Sequence, residues 1–465
     1  MAKAKVKFSR RWKRYAEYRD SGCEWLGEVP ESWSTNRLKH LATINDDVLP
    51  ESTQPDEEIL YVDIGSVDAT VGITTKEAFR FDEAPSRARR IVRHGDVIVS
   101  TVRTYLRAIA PILAPEDNLV VSTGFAVVRP CTGSLGSFAS YALRAPYFVD
   151  QVVSLSVGVS YPAINASELG TIKIATPPSA EQRAIADFLD RETGRIDALI
   201  EKKQRQIALL QEKRQALITA AVTGKIDLRG GAPTSGPPKP YPKYKESGVE
   251  WLGPIPEGWE VVQLRRVASR VATGRTPDCR AVDYFADGDY NWFTPGDFDS
   301  DMELSNSSRK IHPNALEEGE VQEYPALSVM MVCIGATIGK VAVAPHKSSC
   351  NQQINVICPN ESTNAYFLAY YLRTLKDFIV RCGKYTTLPI MNQDDTKALP
   401  LVRPPLTDQK AILEVLNREG SRITDMTTKI ESSITLLREY RTALISAAVT
   451  GKIDVTGSLD TDRVQ

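Results

Sequence analysis

Only four histidines and seven cysteines are spread through this 465-residue chain, and no two cysteines form a C-x-x-C pair. That scarcity argues against a structural metal site, which needs closely spaced ligand pairs. Cys350 and Cys358 have no His or Cys pair to complete one. An odd number of cysteines without paired spacing fits reduced thiols and predicts a cytoplasmic protein. No apolar run approaches the ~18 residues of a membrane span. The basic N-terminus is followed by no apolar stretch, so it does not read as a secretory signal. Nor is there a surplus of positive charge: 57 Lys and Arg face 58 Asp and Glu, for a net charge of −1. A protein that grips nucleic acid unaided neutralises phosphates with excess cations. Any such grip here is expected to be local or shared with partners.

Catalytic signatures are missing as well. The Pro-Pro pairs read Thr176-Pro177-Pro178-Ser179, Gly236-Pro237-Pro238-Lys239 and Arg403-Pro404-Pro405-Leu406, not the Asn/Asp-Pro-Pro-aromatic motif of amino-methyltransferases. Gly335-Ala336-Thr337-Ile338-Gly339-Lys340 is one residue short of a phosphate loop and has Val341 where a magnesium-holding hydroxyl is needed, so it reads as strand–turn–strand. His40, His94, His312 and His346 make no metal pair. Asp46-Asp47 and Asp297, Asp299, Asp301 read as turns or solvated loops. The expectation is no catalytic residue, no metal and no cofactor in this chain.

What is present is a duplication. Tyr15, Tyr18 and residues 21–33 (SGCEWLGEVPESW) return as Tyr241, Tyr244 and 247–259 (SGVEWLGPIPEGW), at an offset of 226. Residues 214–227 (RQALITAAVTGKID) return as 441–454 (RTALISAAVTGKID), at an offset of 227. The ends of the two halves match and their middles diverge. Such a chain presents two similar surfaces that read different things.

Each half reads as a mixed globular region followed by a long helix. Short strands are predicted around 59–64, 97–102 and 125–128, and around 329–334, 341–344 and 354–357. A helical stretch follows each set, around 137–154 and 364–381. Pro177-Pro178 and Pro404-Pro405 stop the strand before each long helix. Ile196, Ile200, Ile207, Leu210 and Leu217 line one helix; Ile423, Ile430, Leu437 and Leu444 recur every seven residues in the other. That is the seam of a helix lying lengthwise on a partner. The partner is either another chain or the second helix of this one. Pairing within the chain is preferred, because two helices on one chain meet at high effective concentration. Gly224 and Gly451 stand where a helix end takes the left-handed conformation. Residues 229–240, rich in Gly and Pro, form a linker. Residues 1–19 carry Lys3, Lys5, Lys7, Arg10, Arg11, Lys13, Arg14 and Arg19 against Glu17. They read equally as a solubilising tail or a phosphate-contacting arm.

The S-G-x-E-W-L-G-x-[IV]-P-x-x-W openings and A-L-I-[TS]-A-A-V-T-G-K-I-D endings, with Pro177-Pro178 to Gln182 and Pro404-Pro405 to Gln409, resemble the DNA-specificity subunit of a type I restriction-modification system. Residues 84–90 and 95–103 resemble one type of recognition domain; 273–277, Tyr284-Phe285, Trp292 and 295–297 resemble another. The resemblance implies an α+β chain: two mixed α/β target-recognition domains separated by two long helices pairing as an antiparallel coiled coil, with internal pseudo-two-fold symmetry. The boundaries would be 1–176 for the first recognition domain and 177–228 for a central helical region. Then come the linker 229–240, the second recognition domain 241–403, a C-terminal helical region 404–455 and a tail 456–465. Each domain would read half of a split site in double-stranded DNA. The partners implied are two methyltransferase subunits, which would carry S-adenosylmethionine and methylate adenine, and motor-nuclease restriction subunits. A related system cutting on both sides of its site, and a coiled-coil scaffold that binds no DNA, remain alternatives.

Specific reading needs donors and acceptors at base edges. In the first domain Arg87, Arg89, Arg90 and Arg93 precede a strand and Arg103, Thr104, Tyr105 and Arg107 follow it; Arg matches both acceptors of guanine. Half of these cations could instead pair with Asp82, Glu83 and Asp96 or cover the sheet. In the second domain Arg275, Thr276, Thr337, Lys340, Lys384 and Tyr385 are candidates, with Asn351, Gln352 and Gln353 offering the amide chemistry that suits adenine. The alternative for those amides is a strand edge bonding backbone. Trp25, Trp33, Trp251 and Trp259 recur in both halves and read as packing anchors.

Overall fold

The computed structural model describes residues 12–68, 71–131, 136–230, 239–280, 282–382, 384–385 and 389–456. Most of the basic arm (1–11), most of the linker (231–238) and the tail beyond 456 lie outside them. The chain divides into two compact units, residues 1–204 with 431–465, and residues 205–430. Each unit therefore contains the beginning of one long helix and the end of the other.

In the first unit an antiparallel sheet has the order Ile109–Pro111, Val97–Ser100, Phe125–Pro130, Ala42–Ile44. Strand side chains alternate between faces, and here both faces are covered. Val97, Val99, Ala126 and Val128 join the core under the helices, while Ile98, Phe125 and Val127 pack toward a second sheet. That sheet runs Glu77–Arg80, Glu58–Val62, Leu119–Ser122, Ala88–Ile91, with the middle pair parallel. The continuous apolar run 97–99 follows from this double burial.

The second unit repeats the plan. Its antiparallel sheet has the order Val341–Ala344, Ser328–Val332, Ile354–Pro359, Ala268–Thr273. Val329 and Met331 face one core, Met330 and Val332 the other. The smaller sheet has Lys310–Ile311, Tyr290–Phe293 and Ser349–Cys350, the last two parallel. Residues 333–340 form the strand–turn–strand connection expected from sequence.

The helical stretch expected around 137–154 is broken. A 3-10 turn and the helix Ala139–Ala142 precede Pro146–Leu155, because Pro146 can start a helix but cannot continue one. Its counterpart divides into Ala365–Thr374 and Lys376–Cys382.

The long helices are Ser179–Val222 and Leu406–Val449, 44 residues each. Gln182 Nε2 donates to Pro177 O at 2.8 Å and Gln409 Nε2 to Pro404 O at 2.9 Å, closing the bend into each helix from inside the core. The helices pair within the chain and run antiparallel. In the first unit Ile196 and Ile200, near one helix start, share a core with Leu437, Leu444, Ile445 and Ala448, near the other helix end. Arg441 Nε donates to Asp197 Oδ1 at 3.0 Å alongside. In the second unit Leu217, Ile218, Ala221 and Val222 share a core with Ile412, Leu413 and Leu416.

The duplicated motifs meet where the helices end. Gly451 has φ +67 and Gly224 φ +74. Lys452 N donates to Ala447 O and Lys225 N to Ala220 O, both at 2.8 Å, which is the Schellman closure. In the first unit Lys452 Nζ then donates to Glu28 O and Tyr18 Oη to Gly451 O. In the second Lys225 Nζ donates to Leu252 O and Pro254 O, and Tyr244 Oη to Lys225 O. Each repeated opening thus clasps the end of a repeated helix. Trp33 and Trp259 are the anchors, each 1% exposed, with Nε1 donating to Glu181 and Asp408. Trp25 and Trp251 are not buried: they are 48% and 41% exposed, and Trp251 packs at the surface against Phe378 with ring centres 5.3 Å apart. A turn at Gly27 (φ +62) and at Gly253 (φ +63) separates each exposed Trp from its buried neighbour.

Asp46 and Asp47 are not merely solvated. Arg129 grips Asp96 with Nε and Nη2 at 2.9 and 2.8 Å, and its Nη1 donates to Asp46 and Asp47 at 2.8 and 2.9 Å. Those hydrogen bonds, Asp96 first, raise the Arg129 pKa. Asp96 is 1% exposed. Arg129→Ala leaves that carboxylate buried without its cation, so a loss of about 3 kcal/mol is expected in urea unfolding. A loss under about 1 kcal/mol would mean that water reaches Asp96.

Candidate nucleic-acid interface

In both units one surface is assembled from a loop and a hairpin that touch. In the first unit the loop after strand Val97–Ser100 makes a 3-10 turn, Thr104–Leu106. Residues 156–164 follow helix Pro146–Leu155 and fold back so that Val157 pairs with Ala163, and Ala163 pairs with Val102. Asn165 then caps a short helix through a capping box with Glu168. In the second unit the hairpin pairs Lys384–Tyr385 with Pro389–Ile390, and Ile390 pairs with Ile334 in the loop after strand Ser328–Val332. Asn392 caps the next helix with Asp395. Pro162 and Asn165 return as Pro389 and Asn392 at an offset of 227, a signal for this element that the sequence carries.

The predicted residues fall into distinct groups. Arg87 and Arg103 are exposed and make no ion pair among the described residues. They line one cleft of about 490 Å³ with Asp63, Leu106 and Tyr161. The Arg103 guanidinium lies 5.0 Å from the Tyr161 ring centre. Tyr105 is 54% exposed. Arg93 pairs with Asp47, and Arg107 with Asp150 at 3.0 Å. Arg89 lies over the Phe81 ring at 4.7 Å. Arg90 is half-buried, its Nε without a hydrogen-bond partner, and burial lowers its pKa. Thr104, expected at the surface, is buried because its hydroxyl donates to Ser156 at 2.8 Å.

In the second unit Gly274 lets 274–276 lie against 350–352. A Cβ there would stand 2.5 Å from Cys350 Sγ and closer to two carbonyls. Arg275 is exposed and its N donates to Cys350 O at 2.9 Å. Thr276 donates to Gln352. Asn351 is withdrawn from the surface, 8% exposed, and its amide donates to Gln353 Oε1 at 3.1 Å. Lys340 Nζ is occupied by Phe298 O at 2.6 Å. Thr337 is half-buried in the turn. Lys384 and Tyr385 lie on the hairpin strand, and their side chains are outside the described residues. Arg275, Thr276 and Gln352 therefore share one patch.

Residues 30–209 and 256–436 match the family described as the type I restriction modification DNA specificity domain. The chain belongs to this family. The two matched stretches are the two halves of the duplication, so the DNA specificity domain occurs twice. Curated relatives include a putative type I restriction enzyme MjaX specificity subunit from Methanocaldococcus jannaschii. It is 23% identical over 442 residues, covering 92% of this chain and 96% of that one. The HindI specificity subunit of Haemophilus influenzae is 23% identical over 421 residues, covering 80% and 89%. Among solved structures, a chain described under complex assembly and conformational transition of the type I R-M system aligns with a TM-score of 0.68 at 21% identity, covering 90% and 98%. The HsdS subunit from Thermoanaerobacter tengcongensis aligns with a TM-score of 0.53 at 22% identity, covering 91% and 98%. These two carry the fold assignment of the specificity-domain pair. No described helix is long and apolar enough to cross a membrane.

Proposed function

We infer that this chain is the sequence-reading subunit of a type I restriction-modification complex. Its recognition domains, 1–176 and 241–403, each read one half of a bipartite site in double-stranded DNA. The helical regions 177–228 and 404–455 set the distance between the half-sites and carry two methyltransferase subunits, which bind S-adenosylmethionine and methylate adenine. Motor-nuclease subunits join for restriction. The chain itself contributes recognition, not catalysis.

The observation that carries this reading is one frame built twice around different loops. The strand order of the larger sheet, the helix clasp and the capped hairpin repeat between the units, while the side chains on the loop and hairpin do not. A shared frame suits two copies of one partner; divergent loops suit two different half-sites. The near-zero net charge fits a reader whose partners supply much of the phosphate contact.

Methylation mapping in cells carrying this chain and its methyltransferase is the direct test, and a two-part methylated sequence with a fixed gap is expected. A scaffold that reads no DNA would give none. Inserting one helical turn between Ile200 and Leu210, with a matching insertion in the second helix, is expected to lengthen the gap by about two base pairs. That follows from ~1.5 Å of rise per residue against ~3.4 Å per base step. Both half-sites should be kept. An unchanged gap would remove the helices from the measurement of distance.

A further inference from the structure

Arg103 has φ +52 and Arg107 φ +54, flanking the turn Thr104–Leu106. Few non-glycine residues adopt this left-handed conformation, and holding one there costs stability. The matching loop of the second unit has the same two left-handed positions, but both are glycine: Gly335 (φ +95) and Gly339 (φ +81). The turns close alike, with Leu106 N donating to Arg103 O at 2.9 Å and Ile338 N to Gly335 O at 3.1 Å. The first unit therefore places an arginine at a positive-φ position that the second unit fills with glycine. Arg107 is held by Asp150; Arg103 has no carboxylate partner among the described residues. Its strain supports no ion pair and presents a guanidinium to the cleft.

The surroundings of Arg103 are equally unusual. Val159 is fully exposed at 101%, Val157 at 75% and Tyr161 at 66%, with Tyr105 and Leu106 beside them on the touching loop. Single exposed apolar residues are ordinary. Five stand on two joined loops; two of them, Leu106 and Tyr161, line the cleft with Arg87 and Arg103, which make no ion pair among the described residues, so the surface is both apolar and cationic. Asp63, the acid of the cleft, accepts from Gly65 N through one oxygen.

We propose that Arg103, Arg87 and Asp63, together with the hairpin tip Val159 and Tyr161, make the base contacts that choose the half-site read by the first unit. This rests on the reading of the chain as a DNA-specificity subunit. Arginine supplies paired donors for guanine, the free carboxylate oxygen accepts from a cytosine or adenine amine, and the valine and tyrosine cover a thymine methyl or a base face. The hairpin residues are thus specificity determinants.

The test uses the full chain assembled with its methyltransferase subunits and a duplex DNA library randomised at both half-sites. If the wild-type complex selects no two-part sequence, the DNA-specificity reading fails before any variant is made. Given such a sequence, Arg103→Gly is expected to leave the melting midpoint unchanged or raised, since it relieves the backbone. It should weaken discrimination at one or two positions of one half-site by roughly tenfold or more and leave the other half-site intact. Tyr161→Ala should act on the same half-site. Selection of the wild-type sequence by both variants would overturn the proposal. So would variants that stay folded but no longer assemble with the methyltransferase, because the surface would then be a protein interface.

Discussion

Gly451→Ala is expected to cost roughly 3–5 kcal/mol and to lower the melting midpoint of the first unit by about 10 °C. Two effects add. The left-handed φ of +67 penalises any Cβ, and the new atom would stand 2.5 Å from Pro30 Cγ, closer still to Cδ, and 3.4 Å from Trp33 Cη2. Neither neighbour can yield, since Pro30 is a rigid ring in strand Glu28–Pro30 and Trp33 is buried. The helix end would have to leave the clasp, losing the contacts of Tyr18 and Lys452 with it. Gly224→Ala should do the same to the second unit, where Pro256 Cγ and Trp259 Cζ3 lie 2.8 and 2.9 Å from the added carbon. Gly95→Ala is the control. It has φ +89 but nothing within 4 Å of its Cβ, so it should show only the conformational cost of ~1–2 kcal/mol. Equal losses at Gly95 and Gly451 would refute the clasp.

Trp33→Ala should cost about 4 kcal/mol in urea unfolding. The ring is 1% exposed, Tyr15 packs edge-on at 5.8 Å, and Nε1 donates to Glu181 Oε1 at 3.0 Å. Tyr15 also donates to that oxygen. Burial, then the bond to Glu181, raises the Tyr15 pKa, so this hydroxyl stays a donor. Removing the indole opens a cavity and takes one donor from a carboxylate at the start of the long helix. Trp33→Phe keeps most of the area and should lose about 1–2 kcal/mol for the missing N–H. Trp25→Ala, eight residues earlier in the same motif, should fall within about 0.5 kcal/mol. Comparable losses for Trp25 and Trp33 would sink the distinction between anchor and exposed residue.

The contrast between those two tryptophans shows where reading residues stops. Duplication revealed that both matter to a shared frame, but not which faces the core, because Gly27 turns the chain between them. The arginines teach the same lesson. Arg87, Arg93, Arg103 and Arg107 are alike as letters. Their roles diverge because Asp47 and Asp150 arrive from distant segments to neutralise two of them and leave two open. Thr104 and Asn351 have the chemistry of base readers, but each finds its partner inside the protein. Tyr161 and Val159 carry no sequence signal of their own because a seven-residue hairpin has too little periodicity to be read, although Pro162 and Asn165 in the first half and Pro389 and Asn392 in the second mark its end.

From residues alone came the duplication, the seven-residue seam of the long helices, the left-handed glycines at their ends and the short apolar strands. All of these are local or periodic patterns, imposed by backbone geometry and the burial of apolar surface. Tertiary structure alone decided which helix end each opening motif grips, which cations stay unpaired and which loop meets which hairpin. Those are contacts between residues far apart in the chain, and only the packed fold brings their charges and surfaces within reach.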